Sequence, residues 1–450
     1  MKKSILCLTL ILCMVFALVG CNGDKPDPSS QGGITGNSDS KGSNSSSTPD
    51  NSSGTQTITA AKSLRFVGGE AGSFGNDSGY YYARTNIKDD KNGDPYMSMM
   101  YVDYASKKEV YLCNKSNCAH NDSGCTSHLS MFGCKGAFTY DNKLYRFIDD
   151  DANSGGAPSM TASGFVPVVY VSDLDGSNSR KLAELTSGTE WADNFVFGNG
   201  MAYVMIDRHE LVQDGSGMTD RIVESNLVSI NLSSGKFTKL TKTNDKEIIG
   251  AFDNVVVFSE ISFTTSSGSY LERLKSANLI ISTFDVSSES MKEIAKIPYP
   301  GGIVCNGSSA YYAPTGKSSI TELNLKTGQS STLADNLPSS PNIMLAYAGH
   351  VVCINSGKNG VTDFYAVNAS SKAVGNINLF LTGETLKVEI DILAELSDSF
   401  LVRTGYDTKK ETVDWAGVTQ NSVIGEKFAL ISKTNYFAGK AQYSEITKAK

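Results

Sequence analysis

The densest chemistry in this 450-residue chain lies between residues 113 and 134. Cys113, Cys118, His120, Cys125, His128 and Cys134 all fall in that window, in a sequence that holds nine Cys and four His in total. Two kinds of chemistry use these residue types at this density. Thiolate and imidazole are the donors zinc prefers, and four of them close a tetrahedral structural site. In that reading Cys113, Cys118 and Cys125 are completed by His120 or by Cys134, and Cys113, Cys118, His120 and Cys125 form the leading ligand set. In an oxidising compartment, Cys113, Cys118, Cys125 and Cys134 would instead form two disulfides, in one of three connectivities that spacing does not choose between. A single residue separates Cys118 from His120, which leaves little room for a chelating turn. Disulfides are therefore the first expectation and a structural zinc the second. A catalytic cysteine would need a histidine oriented by an acid, and no such acid stands out nearby. Every reading makes the segment a structural insert first.

Other charged stretches carry weaker signals. Asp89-Asp90-Lys91-Asn92-Gly93-Asp94 lacks the alternation and the terminal bidentate carboxylate of a calcium loop, and reads as a solvated hairpin. Asp149-Asp150-Asp151 reads as a solvated charge run. Asp207-Arg208-His209-Glu210 places a histidine among charges, but a general base needs a nucleophile and none is visible. There is no P-loop, G-x-S-x-G elbow, dinucleotide fingerprint or H-E-x-x-H, so no residue is assigned as catalytic. Cys305 and Cys353 sit in apolar runs, where a lone cysteine packs as a small hydrophobe.

The elements that must position the cluster are β-hairpins. In Asn226–Thr241 (NLVSINLSSGKFTKLT) two β-rich runs flank Ser233-Ser234-Gly235, a turn able to reach positive φ. About seven such cassettes recur between residues 80 and 446. They include Met99–Leu112, Val169–Leu185, Leu279–Ile297, Ile320–Leu333, Phe364–Leu379 and Phe428–Ile446. Each follows a turn and an aromatic or β-branched run, such as Tyr80-Tyr81-Tyr82 or Leu144-Tyr145-Arg146-Phe147. The turns recur every 40–65 residues or so, the period of a four-stranded blade with variable insertions. No long amphipathic helix competes. The predicted fold is all-β: a β-propeller of seven four-stranded blades, with six or eight as the alternatives. One such sheet cannot cover both its faces, and stacking around an axis lets neighbours do so. Residues near 62–75 are expected to close the ring against the C-terminal unit.

The ends complete the organisation. Lys2 and Lys3 precede an apolar run, Ile5–Val19, too short to span a bilayer and of signal-peptide form. It ends Leu18-Val19-Gly20-Cys21. Residues 1–20 are read as a lipoprotein signal peptide and 21–60 as a flexible tether rich in Ser, Gly and Asn. The tether is too polar to fold and has a reach on the order of 30–35 Å. Residues 61–450 are read as the propeller, with the Cys-rich insert at about 113–134. Net charge is −7, and an acidic chain without a basic stripe is not a nucleic-acid binder.

Leu18-Val19-Gly20-Cys21 resembles a bacterial lipobox, which implies that the Cys21 thiol carries diacylglycerol and becomes the first mature residue. Two acyl chains anchor stably where one does not. Asp173-Leu174-Asp175-Gly176-Ser177-Asn178 resembles the D-x-D-G-S-N turn of TolB-like propellers. Lipobox, Ser-rich linker and repeated strand–turn units together resemble β-propeller lipoproteins of Gram-positive bacteria. That resemblance implies a fold and a location, a lipid-anchored protein facing the extracytoplasmic side, and implies no activity. The leading expectation is a surface-anchored lipoprotein whose propeller is a binding module for a protein, peptide or glycan, at loops such as Asp150–Gly164, Asp207–Glu224, Thr264–Ser276 and Thr408–Gly425. The alternatives are an extracytoplasmic propeller enzyme, a glycan or peptide hydrolase or lyase, and a structural scaffold of a membrane complex.

Overall fold

The computed structural model describes residues 63–68, 73–93, 95–130, 134–151, 165–214, 217–337, 341–356, 362–382, 388–413 and 418–449. The signal (1–20), Cys21 and the rest of the 21–60 tether, and residues 152–164 of the Asp150–Gly164 loop, lie outside the described residues.

A short strand, β1 (Arg65–Val67), precedes seven antiparallel sheets built in chain order. Blade 1 holds β2 (Phe74–Gly75), β3 (Gly79–Asp89), β4 (Pro95–Asp103) and β5 (Lys108–Tyr111), with β6 (His128–Ser130) also paired to β4. Blade 2 holds β7 (Cys134–Tyr140), β8 (Lys143–Asp151), β9 (Phe165–Asp173) and β10 (Arg180–Glu184). Blade 3 holds β11 (Thr189–Gly198), β12 (Met201–Asp214), β13 (Gly217–Asn231) and β14 (Phe237–Lys242). Blade 4 holds β15 (Lys246–Phe252), β16 (Val255–Ser262), β17 (Asn278–Asp285) and β18 (Ser290–Pro298), with a short helix α1 (Tyr270–Ser276) in its second connection. Blade 5 holds β19 (Ile303–Asn306), β20 (Ser309–Tyr312), β21 (Ile320–Asn324) and β22 (Ser330–Ala334). Blade 6 holds β23 (Asn342–Tyr347), β24 (His350–Ser356), β25 (Thr362–Asn368) and β26 (Val374–Asn376). Blade 7 holds β27 (Asp391–Glu395), β28 (Ser399–Val413), β29 (Val418–Ser432) and, after helix α2 (Lys433–Phe437), β30 (Ser444–Glu445).

The seven-bladed propeller is thus the architecture observed. First strands of successive sheets touch around the centre: β2 with β7, β7 with β11, β11 with β15, β15 with β19, β19 with β23, and β27 back on β2. Seven hydrophobic clusters, one per blade interface, follow from this. Tyr81, Met99, Leu129 and Leu144 fill the 1–2 interface, and Tyr80, Met100, Leu401 and Phe428 fill the 7–1 interface that closes the ring. The 2–3 interface is the most aromatic, with Phe138 stacked on Phe197 at 4.2 Å and Phe147 edge-on to Trp191. Burying one such side chain is worth about 1.5–3 kcal/mol. Tyr80, Tyr81, Tyr82, Tyr311 and Tyr312 are all buried, so the tyrosine strands are blade packing. Cys305 and Cys353 lie in different interfaces, 4–5 and 5–6, and do not meet.

Ring closure follows the sequence expectation for only part of residues 62–75: β2 (Phe74–Gly75) meets β27 of the last blade, but β1 does not take part. It pairs with the inner edge of β11 in blade 3, where Leu64 and Val67 are buried. The closing contacts are β2 against β27 and the C-terminal tail against blade 1. There Thr447 exchanges backbone hydrogen bonds with the β5 edge, Glu109 N–H donating to Thr447 O at 2.8 Å and Thr447 N–H to Lys107 O at 2.9 Å. Blade 7 departs too: the Phe428–Ile446 cassette is no tight hairpin, because α2 separates β29 from β30. Among the described residues no helix is long and apolar enough to cross a membrane.

Candidate metal centre and the cavity beside it

The Cys-rich insert is an excursion from the outer edge of blade 1. β5 pairs with Met100–Asp103 of β4, and β6 pairs with Tyr96–Ser98 of the same strand. Residues 112–127 loop out between the two, and both ends are tied to one residue. Leu112 N–H donates to Met99 O at 2.9 Å, and Ser127 Oγ donates to the same oxygen at 2.7 Å. Thr126 Oγ1 donates to Leu112 O at 2.6 Å, which closes the neck of the loop.

Within the loop the ligand atoms of Cys113, Cys118, His120 and Cys125 all lie within 4.8 Å of one another. The short Cys118–His120 spacing is accommodated by left-handed backbone, φ +58° at both Asn117 and His120. His120 is held from behind: its ring stacks on Tyr111 at 4.0 Å, and the Arg84 guanidinium lies 5.0 Å from the other ring of that stack. Arg84 is in turn fixed by the buried Glu109 at 3.2 Å. His120 Nδ1 approaches Cys125 Sγ at 3.4 Å, and Ser127 N–H donates to the same sulfur at 3.4 Å.

The electrostatics suit metal ligation. Burial, reinforced by Arg84, holds His120 below the ordinary imidazole range and so favours the neutral, ligating form. At Cys113 burial opposes ionisation, but hydrogen bonds from the Lys115 backbone and from Cys125, Thr126 and Cys118 outweigh it and lower the thiol. Burial pushes Cys125 up to about 12, with Cys113 and Cys118 adding to the rise. Three sulfurs and an imidazole converging on one point are a donor set that a metal cation would complete. A tetrahedral ion about 2.3 Å from each sulfur sets sulfur–sulfur edges of about 3.8 Å, which falls inside the 4.8 Å within which all four donors lie. The Cys3His group could therefore hold a metal ion.

No disulfide joins any described cysteine: of the four expected to form two bridges, Cys113, Cys118 and Cys125 come together, and Cys134 stands apart from them. It begins β7, is buried among Leu112, Leu129 and Leu144, and approaches Gly136 O at 3.3 Å. Burial alone pushes its thiol up to about 11. His128 is also outside the group. It stacks on Tyr96 at 4.9 Å and sits 3.6 Å from Asp90, so the Asp89–Gly93 turn ends against the insert.

Behind the insert is a cavity of about 430 Å³. Ser123, Thr126 and His128 line it from the insert side, and Arg146, Tyr170 and Ser179 from blade 2. Arg146 was not legible as a site residue, although the signal was present: it falls between Leu144 and Ile148 on the inward face of an apolar strand.

A second polar cluster joins blades 2 and 3. His209 lies between Glu190 at 3.0 Å and Asp220 at 3.2 Å, and Lys135 lies between Glu190 at 3.8 Å and Asp149 at 3.6 Å. Asp149, read as part of a solvated run, is 1% exposed and accepts Trp191 N–H at 3.1 Å. Burial pushes its carboxyl up to about 6, against the opposing pull of Trp191 N–H and Lys135.

The chain matches no family model and no curated protein. Among solved structures it is similar to the β-propeller domain of the Trilobed protease from Pyrococcus furiosus, at 9% identity over 87% of this chain and 97% of that one, TM-score 0.46. It is similar to TolB from Acinetobacter baumannii at 10% identity over 80% and 77%, TM-score 0.34. It is similar to an oligogalacturonate lyase in complex with manganese at 12% identity over 66% and 77%, TM-score 0.38. These likenesses concern the propeller fold alone.

Proposed function

We propose that this chain is a surface-anchored lipoprotein, held at the extracytoplasmic face by acyl chains on Cys21, whose propeller is a ligand-binding module with a structural zinc in its blade 1 insert. The observation that carries the reading is the convergence of Cys113, Cys118, His120 and Cys125 within 4.8 Å. All four tetrahedral positions would be filled by protein, which is the form of a structural zinc site and leaves no open position for substrate. Zinc would supply folding energy to a loop otherwise held by its neck, the His120–Tyr111 stack and a few exposed polar contacts. The loop so fixed forms one wall of the cavity, and a rigid wall is what a preformed ligand site needs. The anchor rests on Leu18-Val19-Gly20-Cys21 and on the polar stretch that follows.

Metal analysis with intact-mass measurement, with and without reductant, tests the zinc. A single zinc per chain and no mass gain on reduction are expected. Two reducible bridges and no metal would overturn it. Feeding cells an alkyne-tagged fatty acid tests the anchor: label on the wild type and none on Cys21→Ser is expected, and an unlabelled wild type ends it.

One observation favours the enzyme reading instead. Asp149 on β8, Glu190 on β11 and His209 on β12 are brought together around Lys135, and burial raises the Asp149 carboxyl. Each already has a charged neighbour, as in a structural network. Release of product from glycans or peptides, abolished by His209→Ala, would move the reading to an enzyme.

A further inference from the structure

The blades bury two arginines, Arg146 and Arg403, and partly bury a third, Arg84; one of the three is treated differently. Arg403, 4% exposed, is met by Asp391 at 2.9 Å and Glu426 at 3.1 Å. Arg84 is met by Glu109 at 3.2 Å. Arg146 is 6% exposed, yet no carboxylate pairs with it among the described residues. Its Nη2 donates to Ser179 Oγ at 2.9 Å, its Nε has no hydrogen-bond partner, and its guanidinium lies 6.0 Å from the Tyr170 ring. A guanidinium offers five donors in a rigid fork, and leaving such a cation buried and unpaired costs several kcal/mol. The cavity beside the insert is where the missing partner fits, because Arg146 lines it.

We propose that this cavity binds a small carboxylate-bearing molecule, with Arg146 as the residue that holds the carboxylate. The choice of anion follows from charge and lining. Arg146 brings one positive charge, and the nearby His128 already faces Asp90 at 3.6 Å, so the site matches a single negative charge rather than a phosphate dianion. Leu129, Ile148 and Tyr170 give apolar walls for the body of the ligand, while Ser123 and Ser179 add hydroxyls at its rim. A volume of about 430 Å³ is within the range of small-molecule sites. Burial depresses the guanidinium of Arg146, the direction that a bound anion would reverse.

This inference deepens the binding-module reading and rests on it. It is tested on the full zinc-loaded chain by calorimetry and thermal unfolding with propionate, phenylacetate and hippurate, against phenylacetamide and orthophosphate. At least one carboxylate is expected to bind saturably and raise the unfolding temperature, with the amide and phosphate inactive. Arg146→Met should abolish the response and, without ligand, unfold at the same temperature as the wild type or higher, since it removes an unpaired charge. Arg146→Lys, which keeps the charge and loses the fork, should bind about tenfold more weakly. No saturable carboxylate response, equal binding by the amide or phosphate, an undiminished response in Arg146→Met, or a strongly destabilised unliganded Arg146→Met would each overturn the site. Chemical conversion of a bound probe would instead end the binding-module reading and leave the pocket standing.

Discussion

Two residues in left-handed conformation, Asn117 and His120, turn the insert sharply enough for Cys118 and His120 to face one point. Asn and His tolerate that region better than most side chains, so the strain is small and local. The cluster was legible in the sequence from its density, but its closure was not, because a one-residue spacer is chelating only when the backbone leaves its usual wells. Cys118→Ser or His120→Ala is therefore expected to lose the metal, and Cys134→Ala to retain it at a cost of about 1 kcal/mol for the lost packing. Metal content and urea unfolding of the three variants check this, and metal loss in Cys134→Ala would point back to a shared cysteine network. Asp149 gives a pH prediction at the same scale. Its folded pKa of about 6 lies above the unfolded carboxyl value near 4. The folded state thus holds the proton more tightly, and stability falls as pH rises from about 4 to about 6, by an amount on the order of 2–3 kcal/mol. In Asp149→Asn that component of the slope should vanish, as read from unfolding free energies at pH 4, 5, 6 and 7. The run Asp149-Asp150-Asp151 gave no hint of this, since burial beneath Trp191 is set by blade 3.

At the scale of the element, one turn recurs. An Asx side chain at the end of the third strand accepts backbone N–H groups two and three residues on, and the fourth residue on is left-handed. Asn231 accepts from Ser233 and Ser234 before Gly235 at φ +71°, and Asn324 accepts from Lys326 and Thr327 before Gly328 at φ +75°. In blades 4 and 6 the same pattern ends on Glu289 at φ +52° and Lys372 at φ +59°. This is why the cassettes could be read from sequence: Asx and Gly at fixed offsets are a backbone requirement, and the last cassette, interrupted by α2, was the one misread as a hairpin. Glu289→Gly should raise stability by about 0.5–1 kcal/mol by removing left-handed strain. Gly235→Ala should lower it by more than about 2 kcal/mol, because its φ is positive and the added Cβ would stand 2.0 Å from Leu182 O. Chemical denaturation of both variants decides whether the offset rule holds.

For the whole molecule, the logic is reciprocal shielding: each sheet buries its faces on two neighbours, and the ring exists because the last sheet finds the first. That much follows from repeated half-apolar ribbons. The way the two ends are disposed does not, because it depends on contacts between residues several hundred positions apart. Ile446 is buried at the 7–1 interface and Ala449 N–H donates to Glu109 at 3.2 Å. Truncation after Glu445 is expected to loosen that seam, lowering the unfolding temperature and broadening the transition, whereas an unchanged sharp melt would mean that β2 against β27 suffices. The same disposition limits how the protein can be rebuilt. Leu64 lies by the inner edge of blade 3 and Thr447 on the outer edge of blade 1, so a circular permutant would have to bridge about 15 Å of sheet width and two blades as well. Its splice would have to pass from the outside of the ring to its centre and skip blade 2, a path that no native connection from an outer strand takes among the described residues.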